Sequence, residues 1–186
     1  MEIELGVLFA DMRGFTALSE SKPPQEVAHL LDRFYFTAAT VLYKHDAVID
    51  KFVGDEVMAL FLTGFTGPAC FDKMATAAEG ILRAVGYGSS EGPWLPLGVG
   101  LDFGLAFVGN VGAGVVKDFT AIGDVVNTAA RLQSQAKAGQ IVMSERVYAQ
   151  VAQRYPDSRS VELRLKGKSE PVAARVVEIT PTAVKA

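Results

Sequence analysis

The period of the apolar residues changes along this chain in an order that leaves few folds open. Residues 4–10 form a short apolar run bounded by Glu4 and Asp11, which reads as a buried strand. After the break at Ser21-Lys-Pro-Pro24, apolar residues recur at Val27, Leu30, Leu31, Phe34, Ala38, Val41 and Leu42. That spacing predicts a helix from Gln25 to about Lys44, with Pro24 suited to its first turn. Residues 47–53 and 56–62 are β-rich runs joined at Gly54-Asp55, a hairpin signal. Residues 69–86 return to helical spacing, and 97–103 with 104–111 read as a strand pair interrupted near Gly104. The order β-α-β-β-α-β is that of a ferredoxin-like α+β core, an antiparallel-rich sheet with helices on one face. An αβαββ extension follows: a helix from about Asp124 to Lys137 stopped at Gly139, a strand at 141–143, a helix capped by Ser144, and strands near 160–165 and 172–178. After Gly112-Ala-Gly114 a short extended stretch is expected. Residues 1–180 read as one domain and 181–186 as a loose tail.

A chain of 186 residues is long enough to bury a real core. Its net charge of −3 supplies no basic field to attract nucleic acid or an anionic membrane. A polyanionic ligand must therefore be held by local charge and metal. Cys70 is the single cysteine, which excludes an internal disulfide and a thiolate-rich zinc site, and His29 and His45 lie too far apart to suggest a histidine cluster. No segment reaches the roughly 18 apolar residues of a membrane span. The N-terminus carries no signal-peptide pattern, so the chain reads as cytoplasmic.

Three segments concentrate unusual residues. In Asp11-Met-Arg-Gly-Phe-Thr16 a glycine among turning residues lets backbone N–H groups point at an anion, although Asp11 equally suits a helix cap. In Lys51-Phe-Val-Gly-Asp55 the aspartate suits a turn, and the lysine suits a solvated edge strand. Yet a carboxylate ending one buried strand and another in a neighbouring hairpin can converge on a divalent ion, a setting Mg²⁺ favours with phosphate oxygens. In the third segment Asn127 and Arg131 are four apart and project from one helix face. They can address one ligand, or Arg131 can form a surface salt bridge.

Together these segments resemble the class III nucleotidyl cyclase catalytic domain. The resemblance is carried by Asp11-Met-Arg-Gly-Phe-Thr16, Lys51-Phe-Val-Gly-Asp55, Ile122 to Arg131, and Lys166-Gly-Lys-Ser-Glu-Pro-Val172, in order along nearly the whole chain. It implies that Asp11, Met12 and Asp55 hold two Mg²⁺ or Mn²⁺ ions per site, and that Gly14, Phe15, Thr16 and Lys166 meet the triphosphate. Lys168 and Lys117 are rivals for the role of Lys166. Arg131 matches a transition-state arginine and Asn127 a ribose-orienting residue. Lys51 and Thr120 fall at the purine-reading positions. A lysine donor facing adenine N1 and a threonine oxygen accepting from N6 satisfy ATP, whereas guanine carries a hydrogen at N1. Threonine at this place resembles the subgroup called class IIIb.

The resemblance further implies a head-to-tail homodimer. Each site would take Asp11 and Asp55 from one chain and Lys51, Thr120, Asn127 and Arg131 from the other, with Gly109 to Gly114 contributing to a dimer arm. The expected activity is adenylyl cyclase, ATP to 3′,5′-cyclic AMP and pyrophosphate, and a regulatory domain in a longer parent chain is compatible with it. Guanylyl cyclase activity and a catalytically silent nucleotide-binding module are the rival expectations. A diguanylate cyclase is disfavoured, since its Gly-Gly-Asp/Glu-Glu-Phe hairpin is replaced here by Val53-Gly-Asp-Glu-Val57.

Overall fold

The computed structural model describes residues 1–113 and 116–179, so the tail expected at 181–186 lies outside the described residues. Strand β1 (Glu2–Met12) is followed by helices α1 (Phe15–Ser21) and α2 (Pro24–Lys44), then the hairpin β2 (Val48–Val53) and β3 (Glu56–Leu62). A single turn α3 (Thr63–Thr66) leads to α4 (Cys70–Ala84), which is followed by β4 (Leu97–Ala113) and β5 (Val116–Ile122). The chain ends with α5 (Asp124–Gln135), β6 (Gln140–Ser144), α6 (Glu145–Val151), β7 (Arg159–Leu163) and β8 (Val172–Glu178). The sheet runs β2-β3-β1-β4-β6-β8-β7, with β5 paired to β4. All ladders are antiparallel except β4 with β6. The strand order β2-β3-β1-β4 is the ferredoxin-like core, so the α+β expectation holds.

Alternation along β1 explains the two layers. Leu8, Ala10 and Met12 face a core built with Phe34, Ala38 and Leu42 of α2 and Met74, Ala78 and Ile81 of α4. Leu5, Val7 and Phe9 face a second core with Val125 and Ala129 of α5. Helices α2 and α4 thus share one face, as expected, and α5 closes the other. Ser144 caps α6 by accepting from the Val147 N–H at 3.4 Å, also as expected.

Two readings are corrected. Gly104 does not break a strand pair: β4 is one strand of 17 residues, and Gly104 pairs with Leu5 inside it. Its missing side chain serves packing, because a Cβ at Gly104 would lie 3.0 Å from Arg146 and 3.4 Å from Val125. At Gly100 a Cβ would come within 2.3 Å of the Gln133 backbone nitrogen. These glycines let α5 lie directly on β4. The short extended stretch expected before α5 is a full strand from Val116 to Ile122, β5, held by its ladder to β4. Helix α1 escaped the apolar pattern because it has no buried residue.

Candidate active site

Asp11 is the last residue but one of β1, between Glu56 of β3 and Gly98 of β4. The Met12 N–H donates to the Asp55 carbonyl at 3.2 Å, which ties the loop after β1 to the β2–β3 turn. Gly54 takes φ +57° there, a conformation glycine adopts without steric cost. The Tyr35 hydroxyl of α2 donates to the Gly54 carbonyl, and its ring stacks on Phe52 with centroids 4.3 Å apart. The hairpin so pinned brings the Asp55 carboxyl within hydrogen-bonding reach of Asp11. Asp11 caps no helix; the residue at the start of α1 is Gly14, and no side chain caps that end.

Burial, and then the neighbouring Asp55 carboxyl, push Asp11 up to about 7. Burial and Asp55 also raise Glu56. Arg13 opposes the rise at Asp11, with Nη2 2.9 Å from Oδ2 and Nη1 donating to the Ala136 carbonyl at 3.3 Å. The buried Gln133 amide approaches Asp11 as well, but its Nε2 completes no well-formed hydrogen bond among the described residues.

This donor set fits a hard divalent cation. Two carboxyls that repel when both ionise are relieved by a cation between them. The Met12 side chain is buried, so its backbone carbonyl is the group it can offer. Among the described residues no three His, Cys, Asp or Glu side chains converge on one point. The remaining ligands would be backbone, water or phosphate oxygen, as is usual for Mg²⁺.

The raised value at Asp11 carries a prediction. The folded chain holds a proton between about pH 4 and pH 7 that the unfolded chain releases, so this group's stabilisation is present at low pH and lost as pH rises through about 7. Asp11→Asn is therefore expected to raise the melting temperature by a few degrees in EDTA at about pH 8, with the gain shrinking toward about pH 4. Mn²⁺ should stabilise the native chain near pH 8 more than the variant. Thermal melts with and without chelator check this; an unshifted midpoint in EDTA would contradict the strained pair.

A second cluster forms where β5 meets β2, strands that share no ladder. Lys51 Nζ lies 2.6 Å from Asp118 Oδ2 and 3.4 Å from Asp50 Oδ2. Thr120 donates to Asp50 Oδ2 at 3.0 Å. Asp118, followed by burial in the opposite sense, holds the Lys51 ammonium above its ordinary range. The strand is an edge strand, as the solvated-lysine reading requires, but the lysine is held between carboxylates. On α5, Asn127 is exposed and Arg131 half-buried, and Arg131 makes no ion pair among the described residues. A Cβ at Gly167 would lie 3.1 Å from the Arg131 guanidinium, so the Lys166–Lys168 turn sits beside it. Lys166 is exposed, whereas Lys168 is 2.5 Å from Asp124. The side chain of Lys117 lies outside the described residues. Among the described residues no hydrogen bond or ion pair joins Asp11 and Asp55 to Lys51, Thr120, Asn127 or Arg131.

The family model "Adenylate and Guanylate cyclase catalytic domain" matches residues 2–177. The chain belongs to this family of class III nucleotidyl cyclase domains. This cyclase domain is 30% identical over 178 residues to an adenylate cyclase of Anabaena cylindrica, covering 90% of this chain and 35% of that protein. It is 32% identical over 175 residues to an uncharacterised protein of Mycobacterium tuberculosis, covering 92% of this chain and 32% of the relative. The chain thus spans about a third of the length of these curated relatives. Among solved structures, the adenylyl cyclase CyaB from P. aeruginosa superposes with a TM-score of 0.83 at 31% identity, over 96% of this chain and 95% of that one. The guanylyl cyclase Cya2 superposes at 0.82 with 27% identity, over 100% and 96%.

Sequence reasoning had passed over Arg13, Asp50, Asp118 and Gln133 of the cyclase domain. Asp50 carries the same signal as Lys51, a charge inside an apolar strand. Asp118 is two residues before Thr120, on the same strand face.

Proposed function

We propose that this domain is a homodimeric adenylyl cyclase that converts ATP to 3′,5′-cyclic AMP and pyrophosphate. The observation that carries the reading is the meeting of Lys51 and Thr120 around Asp50. A donor and an acceptor stand together there, the pair that adenine N1 and N6 require. Asp11, Asp55 and the Met12 carbonyl would hold Mg²⁺ or Mn²⁺, two ions per site. When bound, the ions lower the pKa of the ribose 3′-hydroxyl and hold the triphosphate.

The chain's own residues do the positioning. The Gly14-Phe15-Thr16 segment places backbone N–H groups near the phosphates, and Lys166 adds a mobile cation. Asn127 orients the ribose, and Arg131 meets the charge that builds on the α-phosphate as the 3′-oxygen attacks. Nucleophile and leaving group belong to one molecule, so alignment and charge stabilisation account for most of the work.

Two features support a shared site. Among the described residues no hydrogen bond or ion pair joins the Asp11–Asp55 pair to the base-reading cluster within one chain. The β4–β5 ribbon also exposes Leu105, Phe107, Val111 and Ile122, an apolar surface of the kind that marks an interface. Two Asp-type half-sites facing two base-type half-sites close a two-fold dimer.

Product analysis tests the reading. Incubation with Mn²⁺ and either ATP or GTP over a range of protein concentrations should give cyclic AMP in excess of cyclic GMP. The rate should rise faster than linearly with protein until the dimer saturates. A preference for GTP would support the guanylyl cyclase reading, to which the likeness to Cya2 gives weight. Binding of ATP without pyrophosphate release would favour a silent regulatory module. No helix among the described residues is long and apolar enough to cross a membrane.

A further inference from the structure

Strand β2 departs from a simple two-residue repeat. Its ladder with β3 pairs Ile49 with Ala59 and Lys51 with Met58, so Asp50 has no partner and forms a bulge. Ile49 and Phe52 pack into the larger core, while Asp50 and Lys51, adjacent in sequence, both reach residues of β5. In a regular strand two neighbours would point to opposite faces. The bulge turns them the same way. The Asp50 side chain is only 1% exposed; Oδ2 accepts from Thr120, and Oδ1 has no hydrogen-bond partner among the described residues. A buried carboxylate with one oxygen unsatisfied is costly, and an apolar residue there would avoid the cost. Stability alone does not explain an aspartate at this position.

We propose that Asp50 sets the base preference of the site by fixing the direction of the Thr120 hydroxyl. The inference rests on Lys51 and Thr120 reading the base of ATP. A hydroxyl has one proton and two lone pairs, and a free rotor can serve either as donor or as acceptor. A carboxylate accepts, so the Thr120 proton is committed to Asp50 and lone pairs are left for the ligand. A threonine held this way pairs with the 6-amino group of adenine and opposes the 6-oxo group of guanine. Asp50 acts through Thr120 and Lys51; it is a positioning residue. Its second contact keeps the Lys51 ammonium beside Thr120, so that donor and acceptor face the base together.

The test compares wild type, Asp50→Asn, Thr120→Val, Thr120→Ser and the double variant Asp50→Asn/Thr120→Val. For each, kcat and KM with ATP and GTP are measured in Mn²⁺, and equilibrium Kd values for both nucleotides are measured by calorimetry. Asparagine keeps the shape of Asp50 but offers an amide donor to the threonine oxygen. The ATP-over-GTP preference is expected to fall about tenfold in Asp50→Asn, with the change mainly in KM and Kd. Thr120→Val should lower it to a similar degree, Thr120→Ser should retain it, and the double variant should be no worse than Thr120→Val. An unchanged preference in Asp50→Asn, or a further drop when it is added to Thr120→Val, would overturn the proposal. Melting curves confirm that each variant is folded, and Asp50→Ala replaces Asp50→Asn should the latter not fold, with the same expected loss. If wild type forms no cyclic nucleotide, the adenylyl cyclase reading fails, and the ratio of Kd values still decides the role of Asp50. An ATP preference that the variants lose supports it; the absence of such a preference in wild type overturns it.

Discussion

Mixing Asp11→Ala chains with Arg131→Ala chains is expected to restore cyclase activity that neither variant has alone. Asp11→Ala removes half of the carboxylate pair, leaving Asp55 without the partner that shapes the metal position. Arg131→Ala removes a guanidinium that makes no ion pair among the described residues, so its loss disturbs little of the fold. Removal of such a preorganised donor typically lowers the rate by about 10²–10³. In a mixed dimer, one site combines both lesions and the other combines neither. Random exchange gives mixed dimers half the time, each with one intact site, so about a quarter of wild-type activity should return. The assay is cyclic AMP formation after equal mixing, beside each variant alone and with dimers verified by sedimentation. Dimers that form without recovering activity would show that each site is built within one chain.

Lys51→Glu should depress ATP turnover at least about 100-fold, because it reverses the polarity of the group proposed to read the base. Lys51 now sits 2.6 Å from Asp118 and 3.4 Å from Asp50. Glutamate there would bring three carboxylates together, one of them the almost wholly buried Asp50, and would face adenine N1 with acceptor against acceptor. Glutamate suits the N1 hydrogen of guanine, yet repulsion from Asp118 should keep GTP turnover low. Adding Asp118→Asn should raise cyclic GMP formation above that of Lys51→Glu alone. Chromatography of both cyclic nucleotides reads the result. ATP turnover within a few-fold of wild type would remove Lys51 from the base site.

Much of this was legible in the chain because the strands and long helices bury regular apolar patterns. Strand β8 occupies 172–178 as expected, and the hairpin turns at Gly54-Asp55. What misled was glycine used for packing. Gly104 has the look of a turn, yet its role depends on Val125 and Arg146, which are distant in sequence. The site divides in the same way. Asp11, Asp55, Lys51 and Arg131 stood out as charged groups within apolar or helical patterns. The partnership of Asp50 with Thr120 spans 70 residues and depends on how β5 meets β2, and no local pattern encodes that. A bulge is likewise invisible to periodicity, since its signature is one residue out of step with a partner strand.

Strand β4 starts at Leu97, opposite Met12 beside the carboxylate pair, and passes Gly109, opposite Thr120. Its 17 residues make a rod of roughly 55 Å at about 3.3 Å per residue. The rod has one candidate group near each end, and in the proposed dimer those groups serve different catalytic chambers. Pulling or tilting it in one chain would move the floor of one chamber and the ceiling of the other together. A regulatory region attached to either chain would then act on both chambers with one motion, without reaching a nucleotide itself.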